Sequence, residues 1–218
     1  MLDLLKKYNY ISFATLFIGV PLLLFVLGDF PPRTFLKNAI SLITLLAFSL
    51  ILGQFFLSRT NTFTKNIHKF KNVIALHKAI GYFVVGVFLL QPFLIILPRY
   101  FEAGPKPVDS FIKMITTFES LGVLLGLGAY VLLLVIGLTA LFRAKLALSY
   151  KSWRLLHGLL SLLFVVLAIW HSVDLGRHMN TPLSLFFIIM ATIGSLMLLR
   201  VYIFKNKNNN INKEPSNV

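Results

Sequence analysis

Six apolar runs dominate this sequence, near Tyr10–Leu27, Asn38–Leu57, Leu76–Leu97, Phe118–Leu141, Trp153–Ser172 and Leu183–Phe204. Each is close to the ~20 residues that a helix needs to cross a bilayer of ~30 Å hydrocarbon thickness. Segments this long exceed the strands of a membrane barrel, and a backbone in lipid must satisfy its own hydrogen bonds, so the runs read as helices. The fold class implied is an all-α, polytopic membrane protein of six transmembrane helices. A hydrophobic content of 57% agrees with this and lies outside the range of soluble domains. Residues 1–9 read as a short N-terminal segment, 10–204 as the membrane domain and 205–218 as a polar, Asn-rich disordered tail. Pro21 reads as a kink, Pro92 as a late-helix break and Pro182 as a first-turn residue. The first run is too long for a signal peptide core, and Gly28-Asp29-Phe30-Pro31-Pro32 is no small-residue cleavage site.

The net charge of +14 invites a nucleic-acid reading, but its distribution argues for topology instead. Six crossings put both termini on one side. That side holds 15 of the 21 Lys and Arg residues, among them Lys6, Lys65, Arg143, Lys151 and Arg200. The other side holds Arg33, Lys37, Arg99, Lys106, Lys113 and Arg177, with five of the seven acids. The positive-inside rule makes both termini cytoplasmic, in a cell (inner) membrane, and anionic lipid accounts for the basic face without nucleic acid. The longer connections are a basic cytoplasmic loop, Ser58–Ala75, and an external one, Pro98–Thr117, where Gly104-Pro105-Lys106-Pro107 signals a turn. With no cysteine, the chain has no disulfide, thiolate ligand or iron–sulfur centre of its own.

Ionisable side chains inside a bilayer are costly and tend to be functional. His77 lies early in the third run, and His157 and His171 lie in the fifth, 14 residues apart. Fourteen residues bring a helix back to nearly the same face, about 21 Å further along. The third and fifth helices run in the same direction, so His77 and His157 share one depth. The position 14 residues after His77 is Gln91, at the depth of His171. Imidazoles from two helices at one depth are the usual axial ligands of heme iron in a helical bundle, which makes His77, His157 and His171 candidate heme-binding and metal-binding residues. Gly81 and Ser161, each four residues after a histidine, and Gly158 leave room for a porphyrin. Lys78, Lys151 and Arg154 stand where propionates would lie. The structural alternative for each histidine is a helix–helix hydrogen bond. His68 reads as a solvated loop residue and His178 as a surface residue beside Asp174 and Arg177. Gly122-Val123-Leu124-Leu125-Gly126 reads as a small-xxx-small packing seam.

The segments Leu76-His77-Lys78-Ala79-Ile80-Gly81-Tyr82 and Leu148 through Trp153 to His157, ending at His171, resemble the ferric reductase-like transmembrane domain family. That family includes ferric reductases, NADPH oxidases and the heme-binding membrane subunit of the bacterial methionine sulfoxide reductase system. The resemblance covers roughly residues 10–204. It implies a membrane cytochrome b, with two stacked b hemes passing electrons across the bilayer. By position, His77 and His157 match the inner ligand pair and His171 the outer fifth-helix ligand. Gln91 stands where the outer third-helix histidine is expected. The sequence lacks the flavin- and nicotinamide-binding domains of ferric reductases and oxidases and has no Gly-x-Gly-x-x-Gly fingerprint.

The leading expectation is thus an oxidoreductase component carrying one or two b hemes. A cytoplasmic flavin reductase or a membrane quinol would supply its electrons, and an external acceptor would take them. The alternatives are a single-heme relay or sensor with a degenerate outer site, and a non-redox membrane scaffold. The bland midplane, without Asp, Glu, Lys or Arg, argues against an ion-coupled transporter.

Overall fold

The structure, a computed structural model, describes residues 10–59 and 67–211, with side chains described for 10–57 and 72–203. Seven helices account for most of the described chain, which contains no strand. They are α1 (Tyr10–Val26), α2 (Phe35–Arg59), α3 (Ile67–Ile96), α4 (Pro107–Thr116), α5 (Leu121–Leu141), α6 (Tyr150–Leu175) and α7 (Thr181–Ile211). Their starts follow from local chemistry. Ser120 Oγ accepts from the Val123 amide at 3.4 Å, Ser149 Oγ from Ser152 at 3.1 Å, and Asn180 Oδ1 from Leu183 at 3.1 Å. Each satisfies an amide that the first helical turn leaves without a partner. Pro182 sits in the first turn of α7, as expected. Pro92 does not break its helix: α3 continues to Ile96 and tightens into a 3₁₀ turn, Leu97–Tyr100. A proline this near a helix end removes only one of the last hydrogen bonds.

Five helices are long and apolar enough to cross a membrane: α2, α3, α5, α6 and α7. The first apolar run forms only the shorter α1. Its turns widen into a π-helical stretch at Thr15–Gly19, just before Pro21. Seventeen residues of helix reach about 25 Å, short of the ~30 Å hydrocarbon core. Two expected loops are largely helical. α2 extends to Arg59 and α3 starts at Ile67, so Ser58–Ala75 is not one long loop. His68 lies in the first turn of α3, and its side chain is outside the described residues. The Pro98–Thr117 segment folds into the 3₁₀ turn and α4. Pro107 at its start presets the helical φ, and Val108, Phe111, Ile112 and Ile115 form one apolar stripe. No residue of α4 is buried, and Phe111 stacks on Phe93 of α3 at 5.8 Å. Gly104, at φ +148°, makes the turn expected before it. α7 carries helical backbone to Ile211; residues 212–218 of the expected tail lie outside the described residues.

The five long helices form a ring. α2 packs on α3, α3 on α5, α5 on α6, α6 on α7 and α7 back on α2, while α1 packs outside against α2 and α7. The centre is filled by interlocked aromatic and aliphatic side chains. Phe48 of α2 meets Phe88 of α3 edge-on at 6.4 Å and Phe187 of α7 at 5.1 Å, above the fully buried Leu52, Val84 and Leu133. The ring places α3 and α6 on either side of α5 rather than against each other, which decides what their histidines face.

Candidate functional site

His77 on α3 and His157 on α6 come together near the basic end of the bundle, close enough to interact electrostatically. Their helices are not ring neighbours: α5 packs against both. The Nδ1 atoms of both are sealed from solvent and bond to no described residue. An unpaired buried polar atom costs about 1–3 kcal/mol, and native interiors carry few of them. The third-helix position after one further turn is open: a side chain at Gly81 would meet nothing within 4 Å.

The His157 ring is held in place. Trp153, one turn earlier, stacks on it at 5.1 Å and 27°. The indole Nε1 donates to the Thr139 carbonyl of α5 at 3.1 Å. Tyr150 stacks on Trp153 at 6.1 Å, and the Arg143 guanidinium lies over both rings, 4.5 Å from Tyr150 and 5.1 Å from Trp153. The 3₁₀ turn Arg143–Lys145 thus folds back over the start of α6, and one stack runs from the end of the bundle to the imidazole. In the sequence, Trp153 stood only within the family-like segment leading to His157. Its spacing of four from His157 was the available signal for this contact.

Two expected features change. Gly158 does not leave empty space: a side chain there would overlap the Tyr202 hydroxyl of α7, which donates to the Arg154 carbonyl at 3.2 Å. Ser161 Oγ is turned back on the His157 carbonyl at 2.7 Å. Helix packing uses Gly158 to admit a hydroxyl from α7.

His171 faces α5. Its Nδ1 lies 2.8 Å from the Gly122 carbonyl, and its ring lies where a side chain at Gly126 would be. A carbonyl only accepts, so Nδ1 is the donor of this bond. A backbone carbonyl on one ring nitrogen is the usual way that a metal-binding histidine is oriented. Gly122 and Gly126 do form a packing seam, and what they accommodate is His171 and, at Gly122, the Asp174 carboxylate. Gln91 is half-buried on α3, and no described contact joins it to His171. The Ser49 hydroxyl and the Gln54 amide of α2 are further sealed polar groups without a described partner. The sequence reading gave them no role.

At the far end, His178 is buried, not a surface residue: it is 6% exposed, between Phe25 and Phe30. Burial holds its pKa below the ordinary imidazole value, and the charge of Arg33 lowers it further. Glu102 ties the Leu97–Tyr100 turn to the start of α2. It accepts from Thr34 Oγ1 at 2.6 Å and pairs with Lys37. Those bonds, Lys37 first, hold its carboxyl below the usual range.

No group of three or more His, Cys, Asp or Glu side chains able to hold a metal occurs among the described residues. Two imidazoles are too few for a bare ion. They would suit an iron whose other donors come from a macrocycle, and the open face at Gly81 leaves space beside His77 for such a group.

Residues 43–168 match the family described as ferric reductase like transmembrane component. The chain is also 32% identical, over 161 residues, to an uncharacterised protein of Archaeoglobus fulgidus, covering 74% of this chain and 87% of that relative. No solved structure matches it.

Proposed function

The chain belongs to the ferric reductase like transmembrane component family, and on that premise we propose that it is a membrane cytochrome b, with His77 and His157 as the axial ligands of a heme b. One observation carries the reading: two imidazoles on helices that are not ring neighbours lie close enough to interact, beside the open face at Gly81. When bound there, a heme supplies a one-electron couple whose potential depends on its axial ligands, the surrounding polarity and nearby charge. The chain's own residues supply the rest. Trp153 fixes the plane of the His157 ring, and the apolar ring of helices excludes water. Lys78, Lys151 and Arg154 put positive charge at the same end, where a ligand's carboxylates would emerge.

The positive-inside bias makes that end cytoplasmic, and α1 as a sixth crossing, with the bilayer thinned around it, returns both termini to that side of a cell membrane. Electrons would come from a cytoplasmic flavin reductase on a separate chain, or from a membrane quinol, and leave toward an external acceptor. His171, its ring oriented by the Gly122 carbonyl, is the ligand retained for an outer heme. A second reading, a single inner heme with a degenerate outer site, is favoured by Gln91 and by the absence of any described contact between it and His171.

The test is a reduced-minus-oxidised spectrum with pyridine hemochrome quantification on the detergent-purified chain. His77→Ala and His157→Ala should each remove the inner heme. Two hemes per wild-type chain with one lost in His171→Ala support the two-heme path, whereas one heme indifferent to His171→Ala supports the second reading. A colourless wild type after expression with ample heme, or full heme in His157→Ala, would refute the cytochrome.

A further inference from the structure

α4 turns one edge to α3, where Phe111 stacks on Phe93 at 5.8 Å and 17°. Phe93 belongs to the span Asn72–Tyr100 and stands well before its end. At ~1.5 Å of rise per residue, Phe93 is attached about 10 Å inside the end of that span. α4 therefore reaches back alongside the membrane-crossing helix instead of standing clear of it.

The rest of its apolar stripe is left open by the described residues. Val108 is 63% exposed, Ile112 50% and Ile115 38%. Asp109 and Lys113, four residues apart, share the other face. Isolated helices shorter than about 12–15 residues are marginal in water, so a helix of 10 residues with a bare apolar stripe needs something to cover it. The Thr116 and Thr117 hydroxyls donate to the carbonyls of Ile112 and Lys113, so neither brings an unpaired donor to an apolar surrounding. Leu90, Phe93 and Ile95 of α3 are exposed beside it, as surfaces that face acyl chains are.

We propose that α4 is an interfacial helix, with Val108, Ile112 and Ile115 embedded among the acyl chains of the leaflet at the end of the bundle away from His77. An amphipathic helix in a bilayer interface sinks its apolar face about 5–10 Å, which matches the depth at which Phe93 receives Phe111. A water-soluble partner would have to reach below the end of a spanning helix to cover the same face. Asp109 and Lys113 then lie among headgroups and water, where their charges stay solvated. The placement is independent of the heme.

The chain has no cysteine, so single nitroxide labels can be attached at Val108→Cys, Ile112→Cys, Asp109→Cys and Lys113→Cys without removing a native thiol. All four positions are exposed, so the substitutions should leave the fold intact. The full chain, one copy per phosphatidylcholine nanodisc, is read by power-saturation electron paramagnetic resonance with two relaxation agents, oxygen, which concentrates in lipid, and a nickel chelate, which stays in water. The ratio of oxygen to nickel accessibility should be severalfold higher at positions 108 and 112 than at 109 and 113. Equal, nickel-dominated ratios at all four positions would place α4 in water and overturn the proposal. Labels at 108 and 112 shielded from both agents would overturn it too, because protein would then cover the stripe. So would a water-like ratio that turns to shielding when two chains share a disc, which would identify a second copy as the occupant.

Discussion

Gly126→Ala tests whether the α5–α6 seam is built around His171. The added methyl carbon would overlap Nδ1 of the ring and lie 2.5 Å from Cε1 and 3.0 Å from Cγ. Carbon atoms in favourable contact sit at about 3.5–4.0 Å, so the ring must retreat by about 1 Å or the helices must separate. A retreat of that size carries Nδ1 from 2.8 Å to beyond hydrogen-bonding distance from the Gly122 carbonyl. The stranded donor costs about 1–3 kcal/mol and the overpacking a similar amount, so Gly126→Ala should destabilise by about 2–5 kcal/mol. SDS-titrated unfolding in mixed micelles, followed by tryptophan fluorescence, measures it. His171→Ala should remove most of the clash, giving Gly126→Ala/His171→Ala a favourable coupling of about 1–3 kcal/mol. Gly86→Ala, where nothing lies within 4 Å, is the control and should fall within about 0.5 kcal/mol of wild type. A Gly126→Ala chain as stable as wild type, or an additive cycle, would refute the packing argument.

Three further outcomes are expected. Trp153→Phe keeps a ring on His157 but loses the bond to the Thr139 carbonyl, costing about 1 kcal/mol, and Trp153→Leu should cost about 1–3 kcal/mol and couple to Arg143→Ala in the same unfolding assay. Because the folded chain holds Glu102 ionised more readily than the unfolded one, its stabilisation is present above the ordinary carboxylate value of 4.5 and is lost as the pH falls through and below it. Glu102→Gln should therefore lower thermal stability at neutral pH and flatten its decline on acidification; an unchanged pH profile would contradict this. For His178 the folded chain disfavours the proton, so the unfolded state binds more protons and stability falls as the pH drops through 6.5 and below. His178→Phe should reduce that loss of melting temperature between neutral and mildly acidic pH, with no reduction if the ring were freely solvated.

How much was legible follows from what a helix in lipid imposes. Rise per residue is fixed, so the spacing of His77, Gln91, His157 and His171 gave their relative positions along their helices. Charge asymmetry and the Gly122–Gly126 spacing were likewise readable, because both are local properties of the chain. Loop lengths were not: α4 and the first turns of α3 are too short or too polar for a hydropathy reading, and their ends depend on Pro107 and on packing such as Phe93 against Phe111.

What the sequence determined alone was the helical character of the long runs and the position of each histidine along its helix. What only the tertiary structure decided was direction around each helix axis. A helix that is apolar on every side, as α5 nearly is, carries no periodicity to say which face meets which neighbour. The closure of α2, α3, α5, α6 and α7 into a ring settled it, turning His171 to the Gly122 carbonyl, filling Gly158 with Tyr202 and sealing His178 under Phe25 and Phe30. The same closure set His77 and His157 on helices that both pack against α5.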